Sequence, residues 1–125
     1  MNSRQSSQPR RVYSVGDITG EVRRLLEASY PRVWVEGELA DLSQPRSGHI
    51  YFSLKDGAPA AGKAPATLSC AWFKNRQGRG KPTIENGQHV IIRGRLTVYE
   101  PTGRFQMIVD PVSYTHLTLP TTPYV

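Results

Sequence analysis

Residues 48–56 read Gly48-His49-Ile50-Tyr51-Phe52-Ser53-Leu54-Lys55-Asp56, alternating apolar and polar side chains for a whole strand length before the turn signal Asp56-Gly57. On a half-buried strand successive side chains take opposite sides, so Ile50, Phe52 and Leu54 go inward while His49, Tyr51, Ser53 and Lys55 line up outward. The outward set is one flat aromatic among donors and a cation. Such a mixture suits a surface that stacks a ring and steadies an anion; a decorated sheet face is the plainer alternative.

The two-residue period continues on both sides of this stretch. Upstream, Val33 and Val35 alternate with Trp34 and Glu36, and Gly37 interrupts a run that resumes at Glu38-Leu39. A glycine inside a strand marks a bulge or a bend, as a long first strand of a small closed barrel requires. Trp34, set between two valines, is expected to cap the barrel core. Residues 43–48, Ser-Gln-Pro-Arg-Ser-Gly, are a turn-rich connection carrying one cation, Arg46.

Downstream, residues 57–65 hold Gly, Ala, Pro and one Lys, and read as an inserted loop. The spacing over 66–74 predicts a third strand with Leu68, Cys70 and Trp72 on one side and Thr67, Ser69, Ala71 and Phe73 on the other. With Leu68 in the core, Phe73 faces outward. A basic loop over 74–87 returns through Asn86-Gly87 to a strand over 88–99, where Val90, Ile92, Leu96 and Val98 surround a second mid-strand glycine, Gly94. Glu100-Pro101-Thr102-Gly103 makes a hairpin turn, and 105–110 is the last strand.

Ahead of the strands, Ser14-x-x-Asp17 resembles a capping box and opens a run of Val15, Ile18, Val22, Leu25 and Leu26 at helical spacing, ending near Ser29 before Tyr30-Pro31. The spacing predicts an amphipathic helix whose apolar stripe packs on the domain it precedes. Apart from Met1 and Val12, residues 1–12 are Ser, Gln, Asn, Arg and Pro with almost nothing to bury, and read as a disordered, weakly basic arm. Residues 113–125 carry no charge and fit nothing before them; they are left unassigned as a non-native tail, so the expected domain is 13–112.

At 125 residues the chain holds one domain with a single modest core. Lys and Arg number 16 against 10 Asp and Glu, and Lys74, Arg76, Arg79 and Lys81 meet no acid over 74–81, which points to a polyanion partner or simply to a soluble loop. Cys70 is the only cysteine, so neither an intrachain disulfide nor a thiolate zinc cluster can form. No apolar run approaches bilayer length and no secretory signal opens the chain, so a soluble cytoplasmic protein without membrane contact is expected.

Five strands, a bend glycine in two of them and no long helix among them describe an all-β protein: a five-stranded OB-fold barrel preceded by a short amphipathic α-helix. A sandwich of this class usually needs about seven strands. On such a barrel Tyr51 and Phe73 are candidates to stack bases, Arg46, Lys55, Lys74 and Arg76 to neutralise phosphates, and His49 to donate on the binding face. Catalysis is a poorer reading. His49 could be a general base, and Glu36, Glu38, Asp41 and Asp56 a metal set, but the two glutamates share a face only if Gly37 does not bulge, and His89 and His116 lie in unrelated contexts. The expectation is therefore no catalytic residue, no metal and no cofactor on this chain. An RNA-binding barrel, or a protein-docking module using the 14–29 helix, are the alternatives to single-stranded DNA.

Three motifs in order, Val33-Trp34-Val35-Glu36-Gly37-Glu38-Leu39, Ser47-Gly48-His49-Ile50-Tyr51-Phe52-Ser53-Leu54-Lys55-Asp56 and Leu96-Thr97-Val98-Tyr99-Glu100-Pro101-Thr102-Gly103-Arg104-Phe105-Gln106, with Cys70-Ala71-Trp72-Phe73 between them, resemble the N-terminal domain of the exodeoxyribonuclease VII large subunit. The resemblance runs from about residue 12 to 112. It implies an OB-fold that grips single-stranded DNA for a nuclease, whose full-length large subunit assembles with small helical subunits and cuts DNA from both ends to oligonucleotides. The family's catalytic region lies beyond the barrel, so no catalytic residue carries across, and contacts to the small subunit are expected outside this chain.

Overall fold

A computed structural model describes residues 10–57, 62, 64–77 and 84–110. Most of the N-terminal arm, most of the 57–65 loop, Arg79 and Lys81, and the 113–125 tail lie outside the described residues.

Val15–Ser29 forms α1. Ser14 is its N-cap, its hydroxyl oxygen accepting from the Asp17 N–H at 3.0 Å, which satisfies one of the donors a helix start leaves open. The helix closes where the Tyr30 N–H reaches the Leu26 carbonyl at 2.8 Å, just before Pro31.

The apolar stripe of α1 does not pack on the barrel. Val15 is 81% exposed and Leu25 60%, and Ile18 and Val22 are exposed as well. α1 instead lies against β4 (His89–Tyr99) by its opposite side. There Gly20 is buried, Thr97 Oγ1 donates to Glu27 Oε2 at 2.6 Å, and Arg23 pairs with Glu100 beyond the end of β4. The reason is chemical. The outer surface of β4 offers Thr97 and the adjoining turn offers Glu100, so the charged side of the helix finds partners where the apolar side would find none.

Five strands close into a barrel in the order β1-β2-β3-β5-β4: β1 is Val33–Ser43, β2 Ile50–Lys55, β3 Thr67–Trp72 and β5 Arg104–Val109. Every neighbouring pair is antiparallel except β3 with β5. β1 serves two partners, pairing with β4 from Val33 to Glu38 and with β2 from Glu38 onward. Gly37 sits at that handover without a bulge. A Cβ there would lie 3.1 Å from the Lys55 carbonyl oxygen and 3.2 Å from Leu54 Cβ, so glycine lets β2 close over β1. The register shift falls later, between Ala40 and Ser43, around Asp41 with its φ of 54°.

Inward side chains fill the barrel: Leu39, Ile50, Phe52, Leu54, Cys70, Trp72, Val90, Ile92, Met107 and Val109 are buried. The predicted inward faces of β2 and β3 are met, with Leu68 half-buried at the margin of the core. Trp34 is not a core cap. It is 56% exposed on the outer face of β1, because the inward places on either side of it belong to Val33 and Val35. Arg93, its cross-strand partner, holds its guanidinium carbon 5.6 Å from the ring centroid. His89 is not isolated either; its Nε2 lies 2.6 Å from Glu36 Oε2 across the same pair of strands.

Candidate nucleic-acid interface

The strand register sets outward side chains in rows across the sheet. Tyr51 on β2 stands beside Ala71 on β3, which stands beside Ile108 on β5. One row along come Ser53, Ser69, Gln106 and Thr97; a further row brings Lys55 beside Thr67 and Arg104 beside Tyr99. Crossing these rows is a trough of about 340 Å³ lined by Tyr51, Ala71, Phe73, Tyr99, Thr102, Arg104 and Gln106. Ala71, the small residue between Tyr51 and Ile108, leaves the space that the flanking rings wall in.

At the Tyr51 end three rings meet edge to face. His49 stands 5.4 Å from Phe73 at 83° and 6.4 Å from Tyr51 at 69°. His49 Nδ1 accepts the Lys74 N–H at 3.0 Å, which uses one ring nitrogen; among the described residues Nε2 has no hydrogen-bond partner. Phe73 leads into a single 3-10 turn, Lys74–Arg76. Gln77 holds that turn down by donating from Nε2 to the carbonyls of Gly48 at 2.8 Å and Trp72 at 3.0 Å, and Trp72 Nε1 donates to the Arg76 carbonyl at 3.0 Å. Gly48 has φ +94°, and a Cβ on it would lie 2.8 Å from Lys74 Cδ, so glycine both makes the turn and gives the Lys74 stem its place.

The structure therefore gathers His49, Tyr51, Phe73 and Lys74 at one corner, with Arg76 in the same turn and Arg46 on the loop entering β2. Among the described residues none of Arg46, Lys74, Arg76 and Arg104 is in an ion pair. Lys55 stands apart. It is at the far end of β2, its Nζ 3.9 Å from Asp41 Oδ2, and it borders a separate apolar cavity of about 300 Å³ with Val35, Leu54, Leu68, Leu96 and Phe105. Sequence reasoning missed Tyr99, Thr102, Arg104 and Gln106. The parity of β5 could have put Arg104 and Gln106 outward, but only the pairing of β5 with β3 brings them beside Tyr51 and Phe73.

Among the described residues no group of three or more His, Cys, Asp or Glu side chains could hold a metal ion, although Glu36 and Glu38 do share the outer face of β1.

The family model described as OB-fold nucleic acid binding domain matches residues 13–113. Curated relatives are exodeoxyribonuclease 7 large subunits. That of Geotalea uraniireducens (strain Rf4) is 39% identical over 101 residues, covering 81% of this chain and 21% of its own length. That of Enterobacter sp. (strain 638) is 40% identical over 105 residues, covering 84% and 21%. These relatives bear out the resemblance carried by the three motifs, and the chain spans about a fifth of their length. Among solved structures, the mitochondrial single-stranded DNA binding protein Rim1 of S. cerevisiae aligns with a TM-score of 0.47 and 8% identity, over 65% of this chain and 88% of that one.

Proposed function

This chain belongs to the OB-fold nucleic acid binding domain family, and from that premise we propose that it is a single-stranded DNA-binding module whose contact surface is the aromatic trough. One observation carries the reading: three exposed or half-buried rings, Tyr51, Phe73 and Tyr99, line one trough with Arg104, while Lys74 and Arg76 follow Phe73 in the adjoining turn, Arg46 lies on the loop entering β2, and among the described residues none of these cations is in an ion pair. An exposed ring face accepts any base, and cations without acidic partners accept the phosphates that connect them. Membership among relatives named exodeoxyribonuclease 7 large subunits supports a place for the module in a longer nuclease, holding substrate for a catalytic region that is not in this chain. In that reading residues 13–112 are the folded unit, the 1–12 arm adds charge, the 113–125 tail takes no part, contacts to a small subunit lie elsewhere, and the setting is the cytoplasm.

The test is fluorescence anisotropy of the chain with a labelled oligo-dT, competed by unlabelled single-stranded DNA, duplex DNA and single-stranded RNA. Single-stranded DNA should displace the label at far lower concentration than duplex. With four phosphates neutralised by Arg46, Lys74, Arg76 and Arg104, the log affinity should fall against log salt with a slope of about −3, from about −0.7 per contact on single strands. An affinity indifferent to salt, or displacement by RNA alone, would reject the assignment.

A further inference from the structure

Among the polar side chains that line the trough, one is an amide, that of Gln106. Gln106 is half-buried on the outer face of β5, between Ser69 on β3 and Thr97 on β4. The Thr97 hydroxyl is committed to Glu27, and among the described residues the Gln106 amide has no hydrogen-bond partner. It lines the same trough as the rings, with Tyr51 and Phe73 toward one end and Tyr99 toward the other.

An amide offers a donor and an acceptor side by side, and it can present them in either order by turning about its last bond. Every base freed from a duplex offers a matching adjacent pair on its Watson–Crick edge: N6–H and N1 in adenine, N4–H and N3 in cytosine, N1–H and O6 in guanine, N3–H and O4 in thymine. In a duplex that edge is already used by the opposite strand. A glutamine set between stacking rings can thus satisfy any of the four bases, provided the base is unpaired.

Resting on the reading of the trough given above, we propose that Gln106 grips the Watson–Crick edge of a base stacked in the trough, so that the site selects for unpaired strands without selecting for sequence. The selectivity and the indifference have one source. Arg104, one row away, would satisfy acceptors or phosphate but could not complement the adjacent donor of a Watson–Crick edge, since a guanidinium accepts nothing.

The ligand can be altered so that the protein need not be. Oligo-dT and an oligomer of N3-methylthymidine have the same backbone and stackable rings, but the methyl group removes the N3–H donor. Wild-type chain should bind the methylated oligomer about three- to ten-fold more weakly, the range for one neutral hydrogen bond. Gln106→Leu should bind both oligomers alike, at the weaker level, and should lower affinity for mixed sequences irrespective of base. Unchanged binding of oligo-dT by Gln106→Leu, or a methyl penalty that survives this substitution, would overturn the role of Gln106 while leaving the trough intact. Tyr51→Ala separates the two ideas, because it should weaken both oligomers in wild-type and Gln106→Leu backgrounds; failure of wild type to bind oligo-dT at all would sink both.

Discussion

The Lys74 backbone N–H donates to His49 Nδ1 at 3.0 Å, tying the turn after β3 to the residue just before β2. Phe73 packs edge to face with the same imidazole. His49 thus braces the Phe73 ring and the turn that follows it.

Replacing His49 by Leu removes the acceptor and leaves the Lys74 N–H to water. Stability should fall by about 1 kcal/mol, or about 4–8 °C in the thermal midpoint of a domain this size, and single-strand binding should weaken with it. His49→Gln, which restores an acceptor, should recover part of both in a thermal melt paired with a titration. Recovery of neither would show that ring packing alone is what His49 supplies.

The two faces of β2 and β3 should fail differently. Tyr51→Ala or Phe73→Ala removes a stacking ring and should weaken binding about ten- to a hundred-fold, corresponding to about 1–3 kcal/mol, with the thermal midpoint nearly unchanged. Phe52 is 3% exposed, and its truncation to Ala should cost about 3–5 kcal/mol of stability, measurable by urea denaturation. The reverse pattern would mean that the strand register is slipped by one residue.

The solvent-facing stripe of α1 makes its own forecast. A double change, Val22→Ser with Leu25→Lys, should alter unfolding free energy by no more than about 0.5 kcal/mol each, because neither side chain fills a core. Had the stripe packed on the barrel as the sequence suggests, each truncation would cost about 2–5 kcal/mol.

Glu27 carries a pH dependence. The Thr97 hydroxyl bonded to its carboxylate lowers its pKa, burial works the other way, and the charges of Arg23 and Arg95 lower it further. A carboxyl lowered in the folded state adds stability that is complete above its unfolded pKa and is lost as pH falls through the folded one. The gap in thermal midpoint between wild type and Glu27→Gln should therefore be present at neutral pH and close on acidification below the ordinary glutamate range. A gap constant down to strong acid would remove the ionised Glu27 from the docking of α1.

Cys70 is 3% exposed inside the barrel, and burial pushes its thiol pKa far above the usual range. A thiol reagent at pH 8 should leave the native chain unmodified and react fully once denaturant is added, so that labelling reads out global opening. Rapid reaction of the native chain would contradict a closed core at β3.

Much of this molecule is legible in local spacing. The cap at Ser14, the inward faces of β2 and β3, and the outward Tyr51 and Phe73 all follow from periods of two or of three to four. What escapes are relationships between distant segments. Nothing local in the α1 stripe says that Thr97 and Glu100 will claim the opposite side of the helix. Trp34 misleads because size and flanking valines suggest burial, whereas parity alone puts it out. Arg104 and Gln106 join the site only through a parallel pairing with β3, which no period along the chain encodes.

That parallel pairing also sets the order in which the barrel can be made. β3 pairs with β2 on one side, but its other edge stays bare until β5 has formed, and β4 likewise waits for β5 on the side away from β1. As the chain leaves the ribosome, two strand edges with unpaired N–H and C=O groups persist until residue 109 has emerged and the last strand slots between them. Closure across such sequence separations is slow, on the order of milliseconds to seconds for barrels of this type. The vulnerable moment in the life of this domain is therefore its synthesis, when a neighbouring nascent chain could take the place reserved for β5.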